Sequence, residues 1–342
     1  MQLREIPVST HHRVVECTEP GIGYHAFIAI HDLTLGPAVG GTRLRPYGTR
    51  DEALADVLLL SEAMSYKAAM AGVPFGGGKS VIIGDTRTID RRAIFLAHGR
   101  FVQEMGGRYI AGEDVGTTPS DMHVMREVTE WAAGLTDPSE STAHGVCQAM
   151  RAAAELRWGS PSLAGRTVIV QGCGNVGSCV ATELAAEGAR LVLSDIDEPR
   201  VRRVAASCGA IVVPPGEVLG VEGDVLAPCA LGGVLDADTI PALRVGVVCG
   251  AANNILRSAA DGDALVARGI LYVPDFVANA GGIIHGAREV CGWSAERARQ
   301  AVDDIAVTAR EVIALAAATG SSTAAAALRL ATARLAAARQ PS

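Results

Sequence analysis

Lys79 closes the stretch "GVPFGGGKS", Gly72 to Ser80, and an amine set behind three glycines can serve two chemistries. One is to cradle nucleotide phosphates; the other, in a dehydrated setting, is to act as a base. The phosphate-loop pattern Gly-x-x-x-x-Gly-Lys-[Ser/Thr] needs a glycine at position 73, and Val73 stands there. Order along the chain also disagrees. A phosphate loop follows a strand and opens a helix, so that backbone N–H groups converge on the anion. Here "DEALADVLLLSEAMSYKAAMA" reads as a preceding helix and "SVIIG" as a following strand. Leu54, Val57, Leu58, Ser61, Met64 and Ala68 fall near one face of that helix, with Asp51 and Glu52 in its first turn. A phosphate-loop nucleotide hydrolase is therefore excluded.

The base reading gains from the setting. Gly76, Gly77 and Gly78, followed by an apolar strand, leave Lys79 little bulk water. Desolvation and a second nearby ammonium would both disfavour its charged form. Lys67, late in the preceding helix, is a second amine. Asp114, in "AGEDVGTT", lies just past an apolar strand, a common place for a catalytic carboxylate, although a turn or helix cap explains an aspartate equally well.

A second group of residues suits a dinucleotide. "VIVQGCGNVGSCVATELAAEGARLVLSD" carries Gly172-x-Gly174-x-x-Gly177 between a strand and a helix, and Asp195 ends the next strand. Gly172 permits the tight turn, Gly174 lets backbone approach a pyrophosphate, and Gly177 lets helix and strand pack closely. A carboxylate at 195 accepts hydrogen bonds from the ribose and repels a 2′-phosphate, so NAD is favoured over NADP.

These residues need a two-part framework. "YHAFIAIHD" reads as a strand, "LGPAVGGTR" as a glycine-rich turn, "DRRAIFLAHGRFVQEM" as a helix and "GRYIAGED" as a strand. "GLTDPSESTAHG", over residues 134–145, is rich in turn formers and reads as a hinge. Beyond it, strands at "TVIVQG", "ARLVLSD", "DVLAPCA", "GVVCGAAN" and "ILYVPDF" alternate with helical stretches, the signature of a doubly wound parallel sheet. At 342 residues the chain is long enough for two cores. A formal charge of −7 without a basic run argues against nucleic acid as a partner. Runs such as "AFIAI" are too short to cross a bilayer, and no leader pattern opens the sequence. The eight cysteines form no Cys-x-x-Cys pair, so free thiols in a cytoplasmic protein are expected, with neither disulfide nor metal site.

The chain closely resembles the Glu/Leu/Phe/Val amino-acid dehydrogenases. "LGPAVGGTR", "MSYKAAMAGVPFGGGKSVIIGD", "RYIAGEDVGTT", "QGCGNVG", "APCALGG", "GAANN" and "PDFVANAGG" match the family's motifs in order. The resemblance implies an α/β fold of two domains. Residues 1–134 would bind substrate and oligomerise, residues 145–295 would form a Rossmann NAD-binding domain, and C-terminal helices over 296–342 would pack back toward the first domain. It implies reversible oxidative deamination of an L-amino acid to its 2-keto acid and ammonia, in a homo-oligomer, dimer or octamer. Carried over by motif, Lys67 would pair with the substrate α-carboxylate. Lys79 would activate the water that attacks the imine carbon, and Asp114 would move protons to and from the amino nitrogen. Backbone N–H groups near Gly40 and Gly41 would help hold substrate, the glycines before Lys79 letting substrate and lysine meet. Thr142, Asn253 and Asn279 would hold the nicotinamide end and face the substrate, while Asn175, Val176, Cys229 and Ala230 would line the rest of the cofactor site. His144 and His285 read as structural. One departure is a short linker between Gly134 and Ser141, where the family has a glycine-rich loop. Loss of Lys67, Lys79 or Asp114 would mark a non-catalytic NAD-binding relative, and all three are present.

Within the family, the glutamate branch carries a lysine directly before the Gly-Gly pair, to bind the side-chain carboxylate. Val39 stands there, and a carboxylate buried against it would be unpaired, so a hydrophobic substrate is expected. By position, Gly112, Ile283 and Gly286 would line its side-chain pocket. "RYIAGEDVGTT" and "SYK" resemble the leucine and valine enzymes and "AREVCGWS" the phenylalanine enzymes, which ranks branched-chain substrates first and phenylalanine next. One methylene in such a pocket is worth only about 1–3 kcal/mol, so overlapping activities are expected.

Overall fold

A computed structural model describes Met1–Arg339 and divides the chain into two compact units: residues 1–137 with 286–292 and the segment from Ala333, and residues 138–285 with 293–332. The first unit is built on a six-stranded sheet. Its strands are β1 (Gln2–Glu5), β2 (Arg13–Glu19), β3 (Tyr24–Asp32), β4 (Ala38–Arg45), β5 (Gly76–Ile83) and β6 (Tyr109–Glu113), in the order β1-β2-β3-β5-β4-β6. The edge from β1 through β5 is antiparallel, whereas β4 runs parallel to β5 and β6. Helix α1 (Arg50–Ala71) links β4 to β5, α2 (Arg91–Gln103) links β5 to β6, and α3 (Pro119–Arg126) follows β6. Thr49 caps α1, its hydroxyl accepting from Glu52 N at 3.2 Å, and Gly72 ends the helix in the left-handed region at φ 65°.

The glycine stretch that reads as a turn is a strand, and the three glycines expected ahead of the next strand are part of it. "AVGGTR" lies in β4 and "GGGKS" opens β5. Glycine is a poor strand former, but here it lets backbones meet. A Cβ on Gly77 would stand 2.0 Å from Ser65 Oγ and 2.3 Å from Ser65 N, so α1 lies directly on β5. One on Gly76 would be 2.1 Å from the Asp32 carbonyl oxygen, and one on Gly78 would be 2.7 Å from the Tyr109 ring. Each of the three glycines thus permits a close approach: Gly77 to helix α1, Gly76 to the end of β3, and Gly78 to the Tyr109 ring of β6. The buried stripe of α1 is also rotated from the expected one: Ala53, Val57, Leu60, Ser61, Ser65 and Ala68 are buried, while Leu54, Leu58 and Met64 are only half-buried.

The second unit opens with α4 (Ser139–Trp158), so the residues read as a hinge over 134–145 are half helix, and only 134–138 form a connection. Glu289 gathers that short loop: Gly134 N and Thr136 N donate to its carboxylate at 2.7 and 3.0 Å. A second sheet follows, with β7 (Thr167–Gln171), β8 (Arg190–Ser194), β9 (Ile211–Val212), β10 (Val225–Pro228), β11 (Val247–Val248) and β12 (Leu271–Tyr272). Its order is β12-β11-β10-β7-β8-β9, all parallel, a doubly wound sheet whose winding reverses between β7 and β10. Its helices are α5 (Asn175–Ala186), α6 (Glu198–Cys208), α7 (Ala259–Ala267), α8 (Asp275–Ala278), α9 (Gly281–Cys291), α10 (Ala295–Asp303), α11 (Ile305–Thr319) and α12 (Thr323–Ala338). Helix α9 crosses into the first unit at Gly286 and α12 at Ala333. Return to the first unit therefore starts later than the expected 296: α10 and α11 belong to the second, and Arg334 Nη1, beyond the crossing, donates to Met70 O at 3.1 Å.

All eight cysteines are free, Cys17, Cys147, Cys173 and Cys249 being buried and Cys291 exposed. Among the described residues no group of three or more His, Cys, Asp or Glu is placed to hold a metal, and no single helix is long and apolar enough to cross a membrane.

Candidate active site

Strand alternation sorts the first unit's residues onto two faces. In register, Thr42 lies beside Ser80 and Gly41 beside Gly112. Gly41 and Arg43 of β4, Lys79 of β5, and Gly112 and Asp114 of β6 and its exit therefore share one face, the face over which α1 packs. Lys79 is buried, 6% exposed, and its Nζ lies 2.9 Å from Asp114 Oδ2. Arg43 Nε donates to the same oxygen at 3.0 Å, and Arg43 Nη1 reaches Asp56 Oδ2 on α1 at 3.2 Å. Tyr47 OH closes the chain of contacts by donating to Asp56 Oδ2 at 2.6 Å. The desolvation expected at Lys79 is present. The charge against its amine, however, is a carboxylate rather than the second ammonium that sequence reasoning supposed.

Burial alone would raise the Asp114 carboxyl. The Lys79 ammonium and the Arg43 guanidinium outweigh it and, with the Val115 N–H, hold it well below the usual carboxylate range. Next to it, burial pushes Glu113 up, and the carboxylates of Asp137, Asp114 and Glu289 add to that rise.

Gly41 makes the approach of Asp114 possible, since a Cβ there would lie 2.7 Å from Asp114 Cβ. Gly112 faces open space: its Cβ would meet only Gly41 Cα, at 4.0 Å. Gly40 points to the opposite face, where a Cβ would be 1.7 Å from Gly78 O. The β4–β5 ladder pairs Val39 with Gly77 and Thr42 with Ser80, with no pairing recorded at Gly40 and Gly41 between them. Val39 is half-buried, and Lys67 is half-buried on α1, two residues beyond the Ser65 that touches Gly77. Gly286 has open space where a Cβ would be, and Ile283, in the second unit, is buried.

Behind this face lies a buried polar network that composition alone did not reveal. Tyr109 OH donates to Gly40 O at 2.8 Å and to Ser80 Oγ at 3.1 Å, and Ser80 Oγ donates to Thr42 Oγ1 at 2.9 Å. His98 bridges Ser80 Oγ (3.0 Å) and Tyr24 OH (2.7 Å), and burial lowers its pKa to about 3, so it is neutral. The network fixes the Gly40 carbonyl from beneath. Arg43 and Asp56 were also overlooked. A signal existed for Arg43, because position 43 follows Gly41 by two on a strand and so shares its face.

In the second unit the glycine fingerprint has the geometry that a pyrophosphate needs. Gly172 adopts φ 97°, and a Cβ there would lie 2.7 Å from Ala230 Cβ, across the point where the winding reverses. Gly177 would place a Cβ 2.0 Å from Gly172 O and 3.2 Å from Cys229 Cβ, whereas a Cβ on Gly174 would meet nothing within 4 Å. The first turn of α5, with Asn175 and Val176, opens at that clear space. Asp195 braces the loop: Oδ2 accepts from Cys173 N at 2.6 Å and Oδ1 from Asp197 N at 2.8 Å. Asn279 is buried and donates through Nδ2 to Asn253 Oδ1 at 2.9 Å and to Ala251 O at 3.0 Å. Its own Oδ1 is buried with no partner, which fits an acceptor awaiting an amide donor such as a nicotinamide carboxamide. Thr142 Oγ1 donates to Pro138 O at 2.9 Å, and Gly281 leaves room for the Thr142 backbone, where a Cβ would come 2.8 Å from Thr142 Cα. His144 is structural: its ring nitrogens bond Glu183 at 2.9 Å and Asp303 at 2.6 Å, tying α4 to α5 and α10.

Two family models match. That of the Glu/Leu/Phe/Val dehydrogenase dimerisation domain covers residues 11–131, and that of the glutamate/leucine/phenylalanine/valine dehydrogenases covers 134–198 and 197–341. The chain is 45% identical over 311 residues to a leucine dehydrogenase of Geobacillus stearothermophilus, covering 89% of this chain and 85% of that protein. It is 46% identical over 339 residues to a valine dehydrogenase of Streptomyces virginiae, covering 96% and 95%. Among solved structures, an L-tryptophan dehydrogenase from Nostoc punctiforme superposes with a TM-score of 0.86 at 40% identity, covering 97% of this chain and 98% of that one.

Proposed function

This chain belongs to the Glu/Leu/Phe/Val dehydrogenase family and is an amino-acid dehydrogenase using a nicotinamide cofactor; we propose that it is NAD-dependent, prefers branched-chain L-amino acids, and works through Lys67, Lys79 and Asp114. The observation that carries the proposed mechanism is the buried Lys79–Asp114 pair beside Gly41 and Gly112, with no atom closer than 4.0 Å to where a Gly112 side chain would begin.

Lys67 pairs with the α-carboxylate and orients the substrate. Asp114, ionised by its neighbours, accepts a proton from the substrate's ammonium group. The bound nicotinamide supplies the two-electron acceptor for the Cα–H bond. Once Lys79 leaves Asp114 to hold the attacking water, the carboxylate loses a stabilising charge and becomes more basic, as its role requires. Lys79 then steers water onto the imine carbon and stabilises the oxygen that develops negative charge. The protons this water loses pass by way of Asp114 to the nitrogen, so that the C–N bond breaks, ammonium leaves and the 2-keto acid remains. Thr142, Asn253 and Asn279 would hold the nicotinamide end; Gly172, Gly174, Asn175, Val176, Gly177, Cys229 and Ala230 would cradle the pyrophosphate side, and Asp195 would accept from the ribose.

Val39 supports a hydrophobic side chain, since it offers nothing to pair with a second carboxylate. Leucine and valine rank first because of the named relatives, with phenylalanine next; the glycines at 112 and 286 leave space for larger groups. A homo-oligomer assembled through the first unit and a cytoplasmic location complete the proposal, the first supported by the dimerisation-domain match and the second by eight free thiols. NADH formation over a panel of L-amino acids tests it. Activity with leucine, valine or phenylalanine and little with glutamate is expected; strong glutamate preference overturns the Val39 assignment. Absence of any turnover would leave a non-catalytic NAD-binding protein.

A further inference from the structure

Arg43 spans two carboxylates from a strand that also carries Gly41. Its side chain is 16% exposed, that of Asp114 14% and that of Asp56 18%, so solvent screens these contacts far less than a surface pair. Arg43 and Lys79 converge on one oxygen, Asp114 Oδ2, at 3.0 and 2.9 Å. They hold it differently. Lys79 is a flexible four-carbon amine that must turn to water and substrate during the reaction. Arg43 is a planar fork whose other end is fixed on Asp56, itself fixed by Tyr47 and by the position of α1.

We propose that Arg43 is a positioning residue for the deamination reaction: anchored on Asp56, it keeps the Asp114 carboxylate in place and charged while Lys79 exchanges that carboxylate for water and substrate. The proposal rests on the roles given above to Lys79 and Asp114. The charged and titratable groups around Asp114 are Lys79 from β5, Arg43 from β4 with Asp56 behind it on α1, Tyr109 from β6, and the neighbouring Glu113. Removing Arg43 takes one cation from this set. The Asp114 carboxyl is then held less far below its ordinary value, so an acid limb governed by Asp114 moves up in pH. A neighbouring opposite charge is worth about 1–3 pKa units, so roughly one unit, a tenfold change in proton affinity, is the minimum expected.

The test is the pH dependence of kcat/KM for NAD-linked deamination of leucine by the full chain and by Arg43→Gln, Arg43→Lys and Asp56→Asn. Arg43→Gln is expected to move the acid limb up by about one unit and to lower kcat at least tenfold. Arg43→Lys keeps the charge but cannot bridge, so its limb should stay near the wild-type position while kcat falls. Asp56→Asn frees the far end of the guanidinium and should lower kcat without an upward shift. An Arg43→Gln profile superimposable on wild type, with NADH binding intact, overturns the proposal. Should Arg43→Gln not fold, wild-type kcat in both other variants overturns it equally. A wild-type chain with no turnover would instead overturn the dehydrogenase mechanism itself.

Discussion

Gly41 and Gly112 stand opposite one another in the β4–β6 ladder, yet one added methyl should affect them in contrary ways. A Cβ on Gly41 would lie 2.5 Å from Glu113 O and 2.7 Å from Asp114 Cβ. Carbon atoms rest about 3.5–4.0 Å apart, so Asp114 must retreat by roughly 1 Å. Gly41 is not among the glycines with positive φ, so the backbone itself accepts alanine and the cost is this collision alone. A misplacement of about 1 Å at a catalytic group costs on the order of 10²-fold in rate, or about 2.7 kcal/mol of transition-state stabilisation. Gly112→Ala puts its methyl into open space, meeting only Gly41 Cα at 4.0 Å. The assay is NADH formation from leucine and from phenylalanine, with NADH binding measured separately by fluorescence. Gly41→Ala should lose about two orders of magnitude in kcat/KM for both substrates, with NADH affinity unchanged. Gly112→Ala should keep kcat with leucine and raise KM for the larger side chain. Near wild-type activity in Gly41→Ala, or equal losses in the two variants, would refute the steric reasoning.

Much of this framework was legible beforehand, and the misses have definite causes. The continuous apolar run of β3 and the five strand signals of the second unit were read at or near their true places, because burial on both faces needs unbroken Val, Ile, Leu and Ala. β4 and the start of β5 were misread because glycine there answers a tertiary demand, the seat of α1 against Gly77, which no local propensity encodes. The start of α4 was misread for a related reason: Pro138, Ser139 and Ser141 are turn formers that also begin helices. β1 is short and exposed, with no apolar pattern to find, and the Ile211–Val212 pair of β9 is too short to show a strand period. At the site, Lys79 and Asp114 were found by motif, but the sign of their relationship needed the register that sets Arg43, Gly41 and Asp114 on one face.

Val39→Lys should raise activity with glutamate and depress it with leucine, checked by the ratio of the two kcat/KM values; an unchanged ratio removes Val39 from the specificity argument. Tyr109→Phe leaves Gly40 O and Ser80 Oγ without their buried donor and should cost about 1–3 kcal/mol, read as a lower urea midpoint, with a wild-type midpoint as the contrary result. The bond to Glu183, and then that to Asp303, raises the His144 pKa against its burial, so the stability it lends is full below about pH 6.5 and fades as pH rises through the raised folded value. The difference in melting temperature between wild type and His144→Gln should therefore shrink toward alkaline pH, and a difference that grows would contradict the assignment.

Lys79→Ala is the most direct probe of the mechanism, measured as steady-state release of ammonia from leucine at saturating NAD. With the amine gone, no group holds water against the imine carbon, and the rate should fall by at least about 10²-fold while the protein still folds and binds NADH. Turnover equal to wild type would contradict the account.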